Sequence, residues 1–128
     1  MTRVTIVLPW PMPALSPNAR QHWARLSLAK ASYRVACMVA VRQQNVRLTG
    51  ERWDLSLTFN PPNRRRHDRD NLMARMKSGI DGVAQALGID DVQFVRVSAQ
   101  MAEAAPSGAD AACVIVAIEP HVAAGVAK

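Results

Sequence analysis

The sequence has few cysteines and no long apolar run. Cys37 and Cys113 are its only cysteines and form no Cys-x-x-Cys pair, so a structural zinc site is not expected. In a reducing compartment both thiols are expected to be small hydrophobic groups rather than a disulfide. No stretch of about 18 or more apolar residues occurs, which excludes a transmembrane helix and a membrane partner. The amino-terminal stretch is cut by prolines and lacks a signal-peptide pattern, so a cytoplasmic protein is expected.

Charge is unevenly distributed along the chain. The net charge is +6 and the isoelectric point is about 10.4, which favours an anionic partner. Six of the sixteen basic residues fall within positions 64–77, and five of the ten acidic residues fall within positions 68–91. Both signs of charge are therefore concentrated in the same part of the chain.

Hydrophobic periodicity predicts one α/β (α+β) domain over residues 1–120, followed by a flexible tail at 121–128. The element order is β-α-β-α-β-β, a single mixed β-sheet of about four strands with two helices packed on it. Strands are predicted at 3–8, 53–60, 92–102 and 111–118, and helices at 19–44 and 71–87. In the first helix, apolar residues recur at helical spacing at Leu28, Ala31, Val35, Met38 and Val39.

The last two strands are expected to form a hairpin around the turn at 106–108. Residues 111–118 are continuously apolar, a pattern typical of an interior strand that is covered on both faces. No internal repeat or second domain is recognisable.

The chemistry of the chain is concentrated in residues 61–91. Asp68 and Asp70 are two apart, so in an extended segment both carboxylates point the same way. Carboxylate oxygens suit Mg²⁺, which is usually held by one or two carboxylates with waters and substrate phosphate. Arginine binds phosphate in a bidentate manner, so a basic rim around an acidic centre is typical of a phosphodiesterase. The rim consists of Arg64, Arg65, Arg66 and Arg69.

Each feature also has a structural interpretation. An isolated run of arginines is more often a solvated loop, Asp70 could be a helix N-cap, and Asp90-Asp91 could be an ordinary turn. On the following helix, Lys77 lies either near the scissile phosphate or in an ion pair with Asp81 at i+4. His67 is more readily a phosphate or loop contact than a general base.

At these residues the sequence resembles the RusA family of Holliday junction resolvases, over most of the chain. Near the start, the resemblance rests on Leu8-Pro9-Trp10-Pro11 and on Ser16-Pro17-Asn18 with Arg20. The stronger part is the arginine-rich D-x-D-N segment 64–72, followed by Asp81 and by Gly88-Ile89-Asp90-Asp91.

The resemblance implies a bacterial or prophage-encoded homodimer that binds four-way DNA junctions. It implies symmetrically placed phosphodiester cleavage with Mg²⁺, for which Mn²⁺ is an alternative. Asp68 and Asp70 match the motif aspartates, and Asp91 matches the downstream one, with Asp90 its neighbour. The family commonly has a lysine four residues after the second motif aspartate. Here that position is Ala74, and the candidate replacements are Arg75 and Lys77.

The predicted arrangement raises a geometric problem. A straight helix over 71–87 is about 24 Å long at 1.5 Å per residue, so one metal ion cannot contact both Asp70 and Asp91. Either the helix is shorter or bent, with Gly79 and Gly82 as the weak points, or the site is shared between two subunits with antiparallel helices.

The sequence therefore predicts an Mg²⁺-dependent endonuclease acting on branched DNA. The predicted metal ligands are Asp68, Asp70, Asp90 and Asp91, of which Asp68, Asp70 and Asp91 are catalytic together with Lys77. The predicted DNA contacts are Arg20, Arg64, Arg65, Arg66, Arg69, Arg75 and Lys77. Two alternatives stay open: a non-catalytic basic DNA-binding dimer, and a metal-dependent nuclease for flap DNA or RNA.

Overall fold

The computed structural model of the protein describes residues 3–16, 22–63, 68–102 and 112–122. In chain order its elements are strand β1 (Val4–Pro9), a first 3₁₀ turn (Pro13–Leu15), helix α1 (Trp23–Gln43), strand β2 (Trp53–Asn60), helices α2 (Arg69–Arg75) and α3 (Lys77–Leu87), a second 3₁₀ turn (Asp91–Gln93), strand β3 (Phe94–Met101) and strand β4 (Cys113–Pro120). The mixed α+β class and the four-stranded sheet are as predicted, with three α-helices in place of two. No helix in the described ranges is long and apolar enough to cross a membrane.

The strands lie in the order β1-β4-β2-β3. Strand β4 is antiparallel to both β1 and β2, whereas β2 and β3 are parallel. The predicted hairpin between the last two strands is wrong, because β2 lies between them. Parallel neighbours need a crossover connection, and α2 and α3 supply it. Strand alternation specifies which face of a strand is buried but not which strand lies beside it.

The core lies on one face of the sheet. Strand β2 alternates strictly between buried and half-buried residues, as predicted. Two apolar rows cross the sheet, Ile6–Val116–Leu57 and Leu8–Val114–Phe59. The opposite face carries a row of small residues, Thr5–Ala117–Ser56–Ser98. Strand β4 is interior to the sheet as predicted, but the described helices cover only the apolar face, not both.

Helix α1 begins after His22, whose Nδ1 accepts a hydrogen bond from the Ala24 N–H at 3.2 Å. The helix itself is confirmed, but its buried side is formed by Ala29, Tyr33, Cys37 and Val41. Three residues of the predicted apolar stripe are exposed, with relative accessibilities of 68% for Leu28, 52% for Val35 and 44% for Val39. Helical spacing identified the helix but not the side that packs.

The packed side of α1 is determined by two glycines of α3. A Cβ at Gly79 would lie 2.5 Å from the Tyr33 ring, and one at Gly82 would lie 2.3 Å from the Arg34 carbonyl oxygen. The Tyr33 hydroxyl also reaches across to donate to the Pro9 carbonyl at 2.7 Å. Gly79 and Gly82 are therefore close-contact positions between helices, not the sites where the predicted helix bends.

The predicted helix 71–87 is instead interrupted at Met76, between α2 and α3. The Met76 N–H donates to the Met73 carbonyl at 3.1 Å, a tighter i→i−3 bond that ends α2. Helix α3 then ends at Gly88, as predicted, with φ at +72° in the left-handed region that favours glycine.

Two remaining predictions concern the cysteines and the tail. Both cysteines are free thiols, and burial raises the pKa of Cys37 to about 12. In the segment assigned to the tail, the His121 N–H donates to the Arg52 carbonyl at 2.9 Å, and His121 Nδ1 lies 2.8 Å from Asp54 Oδ1. Residues 123–128 lie outside the described ranges.

Candidate functional site

Asp68 is the N-cap of α2. Its Oδ1 accepts hydrogen bonds from the backbone N–H of Asp70 at 2.9 Å and of Asn71 at 3.3 Å. The cap predicted at Asp70 is therefore made by Asp68, two residues earlier. The N–H groups of Asp70 and Asn71 both donate to this oxygen, so the other carboxylate oxygen of Asp68, Oδ2, has no hydrogen-bond partner within the described ranges.

Asp70 is exposed in the first turn of α2. Because it is helical, the expectation that Asp68 and Asp70 point the same way from an extended segment does not hold. A carboxylate in the first turn is nevertheless favoured there by the partial positive charge of the helix N-terminus.

The two sequence stretches that carry the RusA resemblance meet at this point. The Ser16 hydroxyl donates to Asn71 Oδ1 at 3.0 Å, across 55 positions of sequence. Asn71 directly follows Asp70, so the end of the opening segment lies beside the D-x-D-N segment. Sequence reasoning placed both stretches in one family pattern but did not predict this contact.

Only some of the predicted DNA-contacting basic residues lie within the described ranges. Arg20 and residues 64–67, which include Arg64, Arg65, Arg66 and His67, lie outside the described ranges. Arg69 is exposed on the first turn of α2. Arg75 is half-buried at the end of α2, and burial lowers the pKa of its guanidinium. Its Nε is buried and has no hydrogen-bond partner among the described residues.

Lys77 and Asp81 do not form the ion pair that their spacing allows. The ion pairs among the described residues are Arg3–Glu119 and, when the imidazole is protonated, His121–Asp54. Lys77 lines a pocket shared with α1 and the first 3₁₀ turn. Asp81 lines a different pocket, shared with the segment that follows α3.

That second pocket gathers three carboxylates at the far end of α3, those of Asp81, Asp90 and Asp91. Asp90 caps the second 3₁₀ turn, accepting from the Val92 N–H at 3.1 Å, while its own N–H donates to Gln93 Oε1 at 2.9 Å. A hydrogen bond with Asp90, together with the negative charges of Asp90 and Asp81, raises the pKa of Asp91. This crowding of like charges is the condition that a bound cation relieves.

The topology separates the two acidic groups. Asp68 follows the carboxyl end of β2, and Asp91 precedes the amino end of β3. Because β2 and β3 are parallel, these are opposite ends of the sheet, about 23 Å apart for the seven steps of about 3.3 Å between the eight residues of a strand. The break at Met76 does not change this separation, since the crossover must span the full strand length. Although Asp81, Asp90 and Asp91 line one pocket, no three His, Cys, Asp or Glu side chains in the described part of one chain, these three included, are grouped so as to hold a metal ion.

Comparison with known proteins finds a bacterial relative. The chain is 46% identical over 95 residues to an uncharacterized protein of Xylella fastidiosa. The aligned stretch covers 71% of this chain, and the chain spans 62% of the length of that relative. No family model matches the sequence.

Proposed function

We propose that the protein is an Mg²⁺-dependent endonuclease of the RusA type that resolves Holliday junctions and related branched DNA. The observation that carries the proposal is the hydrogen bond between Ser16 and Asn71. This bond joins two segments of the RusA pattern that are distant in sequence. The joined residues lie beside the exposed carboxylate of Asp70, which directly follows the arginine-rich segment. A site for a polynucleotide is expected to combine these groups in one place.

The residues at the start of α2 fit part of a magnesium site. Asp68 has one carboxylate oxygen outside the cap, and the Asp70 carboxylate is exposed. Mg²⁺ is usually held by one or two carboxylates with waters and substrate phosphates. Asp91 lies at the other end of the sheet, so it joins this set only if a second chain supplies it.

A second chain can be brought to the site through the free edge of the sheet. The outer edge of β1 is already occupied at Val7, because Gln44 Oε1 accepts from the Val7 N–H and Gln44 Nε2 donates to the Val7 carbonyl, both at 2.8 Å. No described residue makes such contacts with the outer edge of β3, where Val95 is 43% and Val97 is 41% exposed. A bulge at the start of β3 leaves the rest of the strand regular.

Antiparallel pairing of two β3 strands about a two-fold axis supports a shared site. It aligns the amino end of one β3 with the carboxyl end of the other, which lies beside the carboxyl end of that chain's β2. Asp91 of the partner subunit would then approach Asp68 and Asp70 from about two strand spacings away, or about 10 Å before side chains are counted. Each dimer would hold two such sites, matching the symmetry of a four-way junction.

The proposed site residues would have separate roles in binding the metal and the DNA. Asp68, Asp70 and Asp91 of the partner subunit would hold Mg²⁺, with Asp90 beside Asp91 as a further ligand. When bound, the metal supplies an activated water and neutralises charge on the leaving oxygen. Lys77 would place a positive charge near the phosphate under attack. The predicted DNA-binding arginines would hold the flanking phosphates through bidentate contacts.

The proposal is tested first by Asp70→Asn on a four-way junction with Mg²⁺ or Mn²⁺. We expect cleavage to be abolished and junction binding to be retained or strengthened, because a negative charge beside the phosphates is removed. Junction, flap and RNA substrates assayed side by side identify the preferred substrate. If Asp70→Asn cleaves like the wild type, Asp70 has no part in the reaction.

The shared site is tested by mixing Asp70→Asn protein with Asp91→Asn protein after subunit exchange. Each heterodimer then keeps one intact site, so nicking returns with about a quarter of the wild-type number of sites. The products are single nicks rather than paired cuts. If heterodimers form and remain inactive, the site lies within one chain.

The interface is tested by Val97→Pro. The Ala102 N–H donates to the Phe59 carbonyl, so alternate residues of β3 face β2 and the Val97 N–H faces the free edge. Proline at Val97 removes an outward donor without breaking the ladder to β2, and we expect a monomer by sedimentation with unchanged circular dichroism. Leu28→Ser, on the exposed stripe of α1, is the control. If it dissociates the dimer and Val97→Pro does not, the interface is α1 rather than β3.

Two observations favour a second candidate, a non-catalytic DNA-binding dimer. Asp68 has a structural role as an N-cap, and no three acidic, histidine or cysteine side chains in the described part of a chain form a metal group. This candidate predicts that purified wild-type protein binds junctions but leaves them intact with every divalent cation tried.

A further inference from the structure

A pocket between three elements lies beside the start of α2. It is formed by the first 3₁₀ turn, the first half of α1 and the junction of α2 with α3, and has a volume of about 180 Å³. Leu15 and Leu26 form the apolar part of the pocket wall. At about 30 Å³ per water molecule, the pocket has room for roughly six waters or for a compact polyatomic ion with part of its hydration shell.

Among the described residues, the charge lining this pocket is of one sign. Lys30 of α1, Arg75 of α2 and Lys77 of α3 line it, and no acidic residue of the described ranges does. None of these three side chains forms an ion pair with another described residue. Cations that converge from separate elements repel one another, and an anion placed among them relieves the repulsion.

Two residues that line the pocket each carry a polar atom with no hydrogen-bond partner in the described ranges. Arg75 Nε and Ser78 Oγ are both buried, and neither has a partner among the described residues. Buried polar groups are nearly always satisfied, so an unsatisfied pair in one pocket needs an explanation. Both atoms can donate a hydrogen bond, and an oxyanion bound in the pocket would supply an acceptor to each once the side chain turns toward it.

The pocket continues from the candidate metal site. Ala74 lines it and lies four residues after Asp70 on α2, so the two share one face of that helix, one turn apart. Ser16 lines it as well and hydrogen-bonds to Asn71. A chain of phosphates passing Asp70 would therefore reach this pocket within about one nucleotide spacing.

We propose that Lys30, Arg75 and Ser78 form a preformed pocket for one phosphodiester group of a polynucleotide, next to the group held at Asp70, and that Lys77 lies between the two groups and serves both. The proposal rests on the proposed function for its substrate class, but binding tests it without cleavage. Lys30 is the decisive residue, because it comes from α1, far from the arginine-rich segment, and its side chain is exposed enough to be replaced without unfolding the protein.

The experiment measures junction binding by full-length protein in EDTA, so that no cleavage occurs. For Lys30→Gln we expect binding about five- to tenfold weaker, with the slope of log affinity against log salt reduced by about one. Arg42→Gln removes the same charge from the far end of α1 and is the matched control, for which less than a twofold change is expected. Ser78→Ala, which deletes the unsatisfied hydroxyl, is expected to weaken binding without lowering the melting temperature.

The outcomes separate this proposal from the nuclease. If Lys30→Gln and Ser78→Ala bind like the wild type while the wild type cleaves junctions, the pocket is not a DNA contact and the nuclease proposal stands. If Lys30→Gln weakens binding but no cleavage occurs with any metal, the pocket stands and the nuclease fails. If inorganic phosphate raises the melting temperature of the wild type but not of Lys30→Gln, and junction affinity is equal in both, the pocket takes a free anion and the assignment to a polynucleotide is wrong.

Discussion

Asp68 is the residue at which a structural and a catalytic role can be separated most cleanly. Its Oδ1 caps α2 through two backbone N–H groups at 2.9 and 3.3 Å, while its other oxygen is unused within the described ranges. Asparagine has the same shape and is as good an N-cap as aspartate, but it has no negative charge for a cation. Asp68→Asn therefore keeps the cap and removes the proposed metal ligand. Asp68→Ala removes both.

The expected magnitudes differ between the two variants. Loss of the cap in Asp68→Ala costs about 1 kcal/mol, which lowers the melting temperature of a domain of this size by about 3–5 °C. Asp68→Asn is expected to melt within about 1 °C of the wild type. Both are expected to lose cleavage by at least about a hundredfold, since a lost metal ligand removes several kcal/mol of transition-state stabilisation and each 1.36 kcal/mol is about tenfold.

Thermal melting followed by circular dichroism gives the stability, and single-turnover cleavage of a labelled four-way junction in Mg²⁺ gives the rate. A cleavage rate near that of the wild type for Asp68→Asn, with the melting point lowered only in Asp68→Ala, would show that Asp68 is a helix cap and nothing more. The metal ligand set would then have to be rebuilt without it.

Three further predictions concern the scaffold. Gly82→Ala gains helix propensity but places a methyl group 2.3 Å from the Arg34 carbonyl oxygen, so the free energy of unfolding should fall by about 1–3 kcal/mol in denaturant titrations. In the wild type the Tyr33 hydroxyl donates to the Pro9 carbonyl at 2.7 Å. Tyr33→Phe removes this donor, so the free energy of unfolding should fall by about 1–2 kcal/mol. The pKa of Asp91 is raised in the fold, so its contribution to stability is complete below about pH 3.9 and declines as the pH rises through the folded pKa. Asp91→Asn should therefore raise the melting temperature at pH 7 and leave it unchanged near pH 3.

The local part of the structure could be predicted from the sequence. Strict alternation located β2 at Trp53–Asn60, and Gly88 marked the end of α3 because its left-handed conformation suits glycine. These features depend on neighbours in sequence, which is what periodicity and turn residues report.

Features set by distant contacts could not be predicted in the same way. The buried side of α1 depends on how α1 packs against α3, where Gly79 and Gly82 allow close approach. The position of β4 between β1 and β2 depends on pairings that alternation does not encode.

The candidate site was likewise only partly predictable. The motif placed Asp68 and Asp70 together by their spacing, but which of them caps α2 depends on where the helix begins. Lys30 carries no local signal, because it reaches the pocket at Ala74 only through the packing of α1 on the crossover helices.

The two hydrogen bonds between the Gln44 side chain and the Val7 backbone also limit the size of any assembly that forms by pairing of sheet edges. A sheet whose two edge strands are both unpaired can add further chains at each edge without limit, and such growth produces fibres. Here Gln44 of the same chain occupies the outer edge of β1 at Val7, which obstructs strand addition there and leaves β3 as the open edge among the described strands. In the proposed dimer, two chains would pair along β3 and each would occupy that edge of the other, so the assembly would close at two chains.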